Sequence, residues 1–424
     1  RGRDPGESQE MSYDWKSFST KQLDVIDGFD SFINILEGSV RSGKTIAANV
    51  AWLYFVLTNP YDQFLMSGES TDSLYRNVVK DLIKIAGDRR ATYQKSPKGG
   101  PQLIFHSRAG DKVCYCRGAD KVTSEEAIRG MTIAGWYADE VTLHHETFIK
   151  QAINRMSLPG AKAIWTTNPD NPNHFIKKEY IDQAGTKGYR HWHFNLEDNL
   201  TLDERYKEEL KQAYSGMWYR RFILGQGVIA EGISYDMFSE EKHVVASLPG
   251  SLSRKYVACD YGTGNPTVFL AMGDVGENTF IFSEYYHSGR ETGKQKTDTQ
   301  YREDLEVFLQ KNEFEKRTTE IIVDPSAASF IVELQQHGFK VTQAKNDVLD
   351  GIRTVANKLD KGYIKIHSSC KETIKEFYGY AWDDKAAERG EDKPLKENDH
   401  CMDALRYGIF TRPRKITAGY SAWR

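Results

Sequence analysis

The chain has 424 residues, 39% of them hydrophobic and 28% charged, with a formal net charge of −3. This excludes a disordered or fibrous chain, and it confines any nucleic-acid contact to local basic surface. Apolar runs such as 47–57 and 268–272 are too short to span a bilayer, and no secretory leader or membrane partner is expected. The length suggests two or three domains at roughly 100–200 residues each. Residues 1–10 are polar, precede Met11 and read as a cloning-derived tail. Five cysteines, an odd number, imply a reducing compartment, and Cys114 and Cys116 are expected to be buried small residues rather than metal ligands.

Along the chain, a strand is expected over 32–36, then a glycine-rich turn and a helix over 45–57. Further strands are expected over 64–67, 103–105, 113–116, 132–138 and 162–166. Strands alternating with helical stretches predict an α/β domain with a mostly parallel sheet over 11–198. Residues 199–249 are rich in Tyr, Arg and Gly, with one helix expected over 202–214, and read as a linker or lid subdomain ending near Leu248-Pro249-Gly250. A second α/β pattern fills 250–412. It opens with strands 256–260, 267–272 and 279–286. Then come helix 297–310, strand 320–324, helix 328–336, strand 340–343, helix 348–361, strand 363–367, helix 371–381 and helix 399–410. Three strands followed by alternating helices and strands is the order of an RNase H-like fold. Residues 413–424 form a basic, aromatic tail.

Gly38-Ser39-Val40-Arg41-Ser42-Gly43-Lys44-Thr45 matches G-x-x-x-x-G-K-[ST] between an expected strand and an expected helix. In that setting backbone N–H groups and the helix N-terminus face the phosphates of ATP. Lys44 reaches the β- and γ-phosphates, and the Thr45 hydroxyl binds Mg²⁺. About a hundred residues on, Ile133-Ala134-Gly135-Trp136-Tyr137-Ala138-Asp139-Glu140 is an apolar strand ending in two acids, a Walker B pattern. Asp139 is expected to hold Mg²⁺ and Glu140 to polarise the attacking water as general base. Thr166-Thr167-Asn168-Pro169 ends a further strand. Thr167 and Asn168 stand where RecA-like motors sense the γ-phosphate, and the same residues equally suit an Asn-Pro turn.

A second centre is expected in the C-terminal half. A nuclease using two Mg²⁺ or Mn²⁺ ions needs carboxylates that converge from distant points in the sequence. Asp260 and Asp324 end apolar strands, and Glu284 lies on the third strand. The last helix carries His400 and Asp403 on one face, with Asp399 one turn before Asp403. The first strand, the fourth strand and the terminal helix are where RNase H-like nucleases hold their acids. Asp260, Asp324, Asp403 and His400 are therefore the candidate metal ligands.

Six segments in fixed order carry a resemblance. They are 38–45 above, Ala-Asp-Glu at 138–140, Thr-Thr-Asn-Pro at 166–169, Cys-Asp-Tyr-Gly at 259–262, Val-Asp-Pro-Ser at 323–326 and Asp-His-Cys-Met-Asp-Ala-Leu-Arg-Tyr at 399–407. Over about 18–411 the chain resembles the large terminase subunit of tailed bacteriophages. The resemblance implies a P-loop, RecA/ASCE-like ATPase domain followed by an RNase H-like nuclease domain. It implies a viral DNA-packaging motor in which ATP hydrolysis drives double-stranded DNA into the procapsid and the nuclease cuts it at start and end. Implied partners are the portal protein, the small terminase subunit and further copies in a pentameric ring, the isolated chain being monomeric. The implied location is the cytoplasm of the infected host, transiently on the procapsid and not in the mature virion.

By the same resemblance Gln22 contacts adenine, Arg41 contacts the γ-phosphate, and Arg129 reaches a neighbour's ATP as an arginine finger. A polar first-turn residue for Gln22 and a surface salt bridge for Arg129 remain open. Asp260, Asp324 and Asp403 match the family's acids, His400 matches a histidine of one branch, and Cys401 adds a thiol beside them. Two rival readings carry their own expectations. A helicase-nuclease of recombination or repair should contain a second RecA-like domain. A non-catalytic adaptor that keeps the fold should have lost Lys44, Glu140 or a metal acid, and all are present.

Overall fold

The computed structural model describes residues 17–96, 98–108, 110–262 and 265–412. The expected tails 1–10 and 413–424 lie outside the described residues. The chain divides into two compact units, 1–229 and 230–424. The stretch 199–249, expected as a separate subdomain, is shared between them, 199–229 with the first unit and 230–249 with the second.

The first unit is built on eight strands: β1 (Ile33–Gly38), β2 (Gln63–Gly68), β3 (Ala91–Gln94), β4 (Gln102–Phe105), β5 (Lys112–Gly118), β6 (Gly135–Ala138), β7 (Lys162–Thr167) and β8 (Tyr189–Phe194). Their order is β3-β4-β5-β2-β6-β7-β1-β8. From β5 to β8 all neighbours are parallel, and β3 and β4 close one edge antiparallel. β7 therefore separates the strand before the phosphate loop from the strand that ends in Asp139, the ASCE arrangement. β6 is shorter than expected because the Ile133 N–H is diverted to the Arg155 carbonyl.

Apolar residues at helical spacing bury both faces of this sheet. Ala47, Ala51, Trp52 and Phe55 of the helix Lys44–Thr58 cover one face, with Trp52 edge-on to Phe64 at 5.8 Å. Phe148, Ile149 and Ala152 of the helix Glu146–Arg155 cover the other, beside Trp136 edge-on to Trp165 at 5.2 Å. Cys114 and Cys116 are buried in the first of these cores.

The second unit holds β9 (Val244–Val245), β10 (Arg254–Asp260), β11 (Thr267–Val275), β12 (Asn278–His287), β13 (Glu320–Val323), β14 (Lys340–Gln343) and β15 (Ile364–His367). Their order is β14-β13-β10-β11-β12-β15-β9. β10, β11 and β12 form an antiparallel meander, and the remaining strands add parallel to it on both sides. The helix His400–Thr411 packs across the sheet so closely that a Cβ at Gly408 would lie 2.5 Å from Met272 Sδ and 3.1 Å from Ala258 Cβ. Phe269, Leu305, Phe308 and Phe330 fill the core of this unit. Among the described residues no helix is long and apolar enough to cross a membrane.

Gly38, where β1 turns into the phosphate loop, has φ +155 and passes so near β8 that a Cβ would sit 1.9 Å from the Phe194 carbonyl oxygen. That neighbour is backbone and cannot rotate away. Gly38→Ala is expected to lower stability by about 2 kcal/mol or more in urea unfolding. Gly160 has φ +74 and no neighbour within 4 Å. Gly160→Ala should cost about 1 kcal/mol. Equal losses at the two positions would show that the β1–β8 contact is not the constraint described.

Candidate active sites

Strands β1, β6 and β7 run parallel, so the segments that follow them leave the sheet at one edge. Lys44 comes from the loop after β1, Asp139 from the end of β6 and Asn168 from the end of β7. The Lys44 ammonium donates to Asn168 Oδ1 at 2.8 Å, to the Ser39 carbonyl at 3.1 Å and to the Gly38 carbonyl at 3.3 Å. Burial pulls its pKa down to about 8, against the carboxylates of Glu140, Asp139 and Glu37, which raise it. Ser42 Oγ is buried with no hydrogen-bond partner among the described residues.

Asp139 is buried and held from two sides. Thr166 Oγ1 donates to its Oδ1 at 2.9 Å and Asn77 Nδ2 to its Oδ2 at 3.2 Å. Burial raises its pKa, while those two donors and Lys44 lower it. Glu140 is half-buried in the left-handed region, φ 53, and its backbone N–H donates to Thr166 Oγ1 at 3.3 Å. Behind these acids Ser67 Oγ lies 2.8 Å from His144 Nε2 and accepts from Trp136 Nε1 at 2.8 Å. Burial pulls the His144 pKa down to about 3, so its imidazole is neutral.

Thr45 is half-buried at the helix start. The side chain of Arg41 is exposed, and its backbone is left-handed, φ 56, with its carbonyl accepting from Asn199 Nδ2 at 2.7 Å. Gln22 closes a capping box with Ser19 and donates through Nε2 to the Gly43 carbonyl at 3.1 Å. Thr167 pairs with Thr142 across 2.9 Å, so Thr166 rather than Thr167 faces Asp139. Arg129 precedes β6 and so lies at the sheet edge opposite the phosphate loop, beside Asp62 and Gln63 at the start of β2. It is exposed and donates to Glu125 Oε1 at 2.5 Å.

In the second unit Asp260, Asp324, Asp403 and His400 line one cavity of about 700 Å³. Asp260 ends β10, and Asp324 follows β13, the parallel neighbour of β10. His400 Nδ1 lies 2.9 Å from Asp260 Oδ2. Burial raises the Asp260 pKa to about 6, helped by the like charges of Asp403 and Asp399 and opposed by His400. For Asp324, burial pushes up, but hydrogen bonds from the Tyr407 hydroxyl and the Ser326 N–H bring the pKa below the ordinary value. Arg406 Nη2 donates to Asp403 Oδ1 at 2.9 Å, and Lys396 Nζ donates to Asp403 Oδ2 at 3.0 Å. Three carboxylates and an imidazole crowded at one cavity fit hard divalent ions, which relieve the like-charge repulsion felt by Asp260.

Glu284 does not join this cluster. Its carboxylate accepts from the N–H groups of Glu372 and Thr373, each at 2.9 Å, and from Thr373 Oγ1 at 2.8 Å. It thereby caps the helix Lys371–Gly379, whose own N-cap, Cys370, makes no side-chain cap bond. Glu376 does the same for the helix His400–Thr411, accepting from the N–H groups of Cys401 at 2.7 Å and Met402 at 3.2 Å. Burial raises the Glu376 pKa to about 8.

The sequence pointed to no role for Asn77, Glu376 or Lys396, and it placed Thr166, Arg406 and Tyr407 in motifs without giving them a role of their own. Arg406 and Tyr407 had a signal, standing three and four residues after Asp403 and so on its helix face. Glu284→Ala should lower stability by about 1–2 kcal/mol in denaturant while leaving divalent-metal binding intact. Loss of metal binding at unchanged stability would return Glu284 to the acid cluster.

The sequence matches the family described as terminase large subunit, T4likevirus-type, N-terminal, over residues 35–242. It matches the terminase RNaseH-like domain over 285–412. The large terminase of a thermophilic bacteriophage is 42% identical, with 93% of this chain and 99% of that one covered and a TM-score of 0.85. The same thermophilic phage protein in complex with ATP-gamma-S gives a TM-score of 0.83 at the same identity. The large terminase subunit of Escherichia phage T5 is 26% identical over 288 residues, 63% of this chain and 62% of that protein, so the match spans less than two thirds of that relative. With its six ordered motifs, its ASCE and RNase H-like sheets and these relatives, the chain belongs to the large terminase subunit family of bacteriophages.

Proposed function

We propose that the chain is an ATP-driven motor that packages double-stranded viral DNA and a metal-dependent endonuclease that cuts it. The observation that carries this reading is the presence of two separate centres in one chain. Lys44, Asp139 and Asn168 converge in the first unit, and Asp260, Asp324, Asp403 and His400 in the second.

In the ATPase centre the amides of Gly38–Thr45 and the Lys44 ammonium bind the phosphates, with the Ser42 hydroxyl as a further contact. Thr45 and Asp139 would hold a Mg²⁺ ion, which would supply neutralising charge to the bound phosphates. Glu140, anchored through its N–H to Thr166, takes the proton of the attacking water. Arg41 offsets charge building on the γ-phosphate, and the second N–H of the Gln22 amide reads the adenine edge. Arg129, on the far edge of its own sheet, acts on the ATP of a neighbouring copy. Changes at the γ-phosphate reach the 199–229 segment directly, because Val40 N–H donates to the Phe222 carbonyl at 2.8 Å and Asn199 holds Arg41.

In the nuclease centre Asp260, Asp324, Asp403 and His400 would hold two Mg²⁺ or Mn²⁺ ions, which would supply charge stabilisation to phosphodiester cleavage. Tyr407 and Ser326 orient Asp324, and Arg406 orients Asp403. DNA is gripped through its phosphates, which carry no sequence information. Packaging also calls for the portal protein, the small terminase subunit and a head-to-tail ring of copies, pentameric, in the host cytoplasm on the procapsid. A helicase-nuclease is disfavoured, because the described second unit carries the RNase H-like sheet and not a second RecA-like one.

The test pairs plasmid cutting with ATP turnover. Wild type should nick and linearise supercoiled plasmid with Mg²⁺ or Mn²⁺. Asp260→Ala should abolish cutting and keep ATP turnover. Glu140→Ala should keep cutting and reduce turnover by about 10²–10⁴-fold. Arg129→Ala should lose turnover only under conditions where copies assemble. Cutting by Asp260→Ala at the wild-type rate would sink the nuclease assignment.

A further inference from the structure

Glu37 is the last side chain before the phosphate loop; its charge reaches Lys44, while its nearest side-chain partners are two histidines of β8. Leu36 enters the core beneath the helix Lys44–Thr58, so strand alternation turns Glu37 to the opposite sheet face. There β8 runs parallel to β1, with Ile35 opposite His191 and Glu37 opposite His193. The two histidines are two residues apart on one strand and therefore share that face. His191 Nε2 lies 3.1 Å from Glu37 Oε2, and His193 Nδ1 lies 3.9 Å from the same oxygen. One ligand atom from each of the three residues falls within 4.8 Å of the others.

We propose that Glu37, His191 and His193 form a binding site for a borderline divalent transition-metal ion of the Zn²⁺ class, with further coordination positions open to solvent. Two imidazole nitrogens and one carboxylate oxygen suit such an ion, whereas the oxygen-rich nuclease cavity suits harder ones. The ligands are rooted in neighbouring strands, so little order has to be imposed on binding. The Glu37 side chain is 9% exposed, against 23% for His191 and 39% for His193, which leaves an entry path on the histidine side.

The site sits at the root of the phosphate loop. Glu37 adjoins Gly38, whose carbonyl accepts from Lys44. Gly225 approaches from the other side, where a Cβ would lie 2.9 Å from His193 Nε2 and 3.4 Å from Ser39 N. A bound ion therefore ties the edge strand β8 to the base of the loop. The site stands independently of the ATPase and nuclease assignments.

The test uses the full chain carrying Asp260→Ala, Asp324→Ala, His400→Ala and Asp403→Ala, which removes all four proposed nuclease ligands. Zn²⁺ titration by calorimetry should find one ion per chain, and Co²⁺ should give the intense visible bands of low coordination. Adding His191→Ala and His193→Ala should abolish both signals. Glu37→Gln should weaken binding at least about tenfold. Folding is checked by circular dichroism. If the histidine variant fails to fold, Glu37→Gln and the parent's Co²⁺ spectrum decide. Absence of Zn²⁺ binding, a weak six-coordinate Co²⁺ spectrum in the folded parent, or unchanged affinity in either variant would overturn the proposal.

Discussion

Strand β7 lies between β6 and β1, and the chemistry of the first unit depends on that placement. Lys44 and Asp139 are both buried, and a buried charge without a partner is costly. β7 supplies a partner to each: Asn168 accepts from Lys44, and Thr166 donates to Asp139. The inserted strand thus both separates the cation from the acid and satisfies the two of them. Parallel pairing makes this possible, because only in a parallel set do the ends of three successive neighbours reach the same edge. The phosphate loop is then fixed against β8 by the close passage of Gly38 under Phe194, and against the following segment by Val40 and Phe222.

The second unit applies the same constraint to carboxylates. β10 and β13 are parallel neighbours, so Asp260 and Asp324 emerge side by side, and the helix His400–Thr411 brings His400 and Asp403 across them. Each acid is oriented by a different partner: His400 on Asp260, Tyr407 on Asp324, Arg406 on Asp403. The helix itself is seated by Glu376, whose buried carboxylate takes the N–H groups of its first turn. Such a support costs desolvation and returns positional accuracy for the acids above it.

The order of the two folds was legible in the sequence because its signals are local. A phosphate loop, an apolar strand ending in Asp-Glu, and acids at strand ends each declare themselves within a few residues. β8 was not legible: Tyr-Arg-His-Trp-His-Phe buries only alternate residues against the sheet, and it lacks the apolar run of β1 or β7. Glu284 has a strand position that fits a metal acid, while its true partners, the N–H groups of Glu372 and Thr373, lie far along the chain. Asn77 and Glu376 had no local signal, since their roles exist only through contacts 62 and 25 residues away. The stretch 199–249 reads as uniform in composition, yet its halves pack with different units.

On the proposed function, ATP-driven movement and DNA cutting reside in separate centres of one chain. The most direct measurement is packaging of pre-cut linear double-stranded DNA into purified procapsids, scored as nuclease-protected DNA. Asp260→Asn, which leaves the ATPase centre untouched, should protect DNA as wild type does, and Glu140→Gln should protect none. Protection by Glu140→Gln, or its loss in a folded Asp260→Asn protein, would contradict the account.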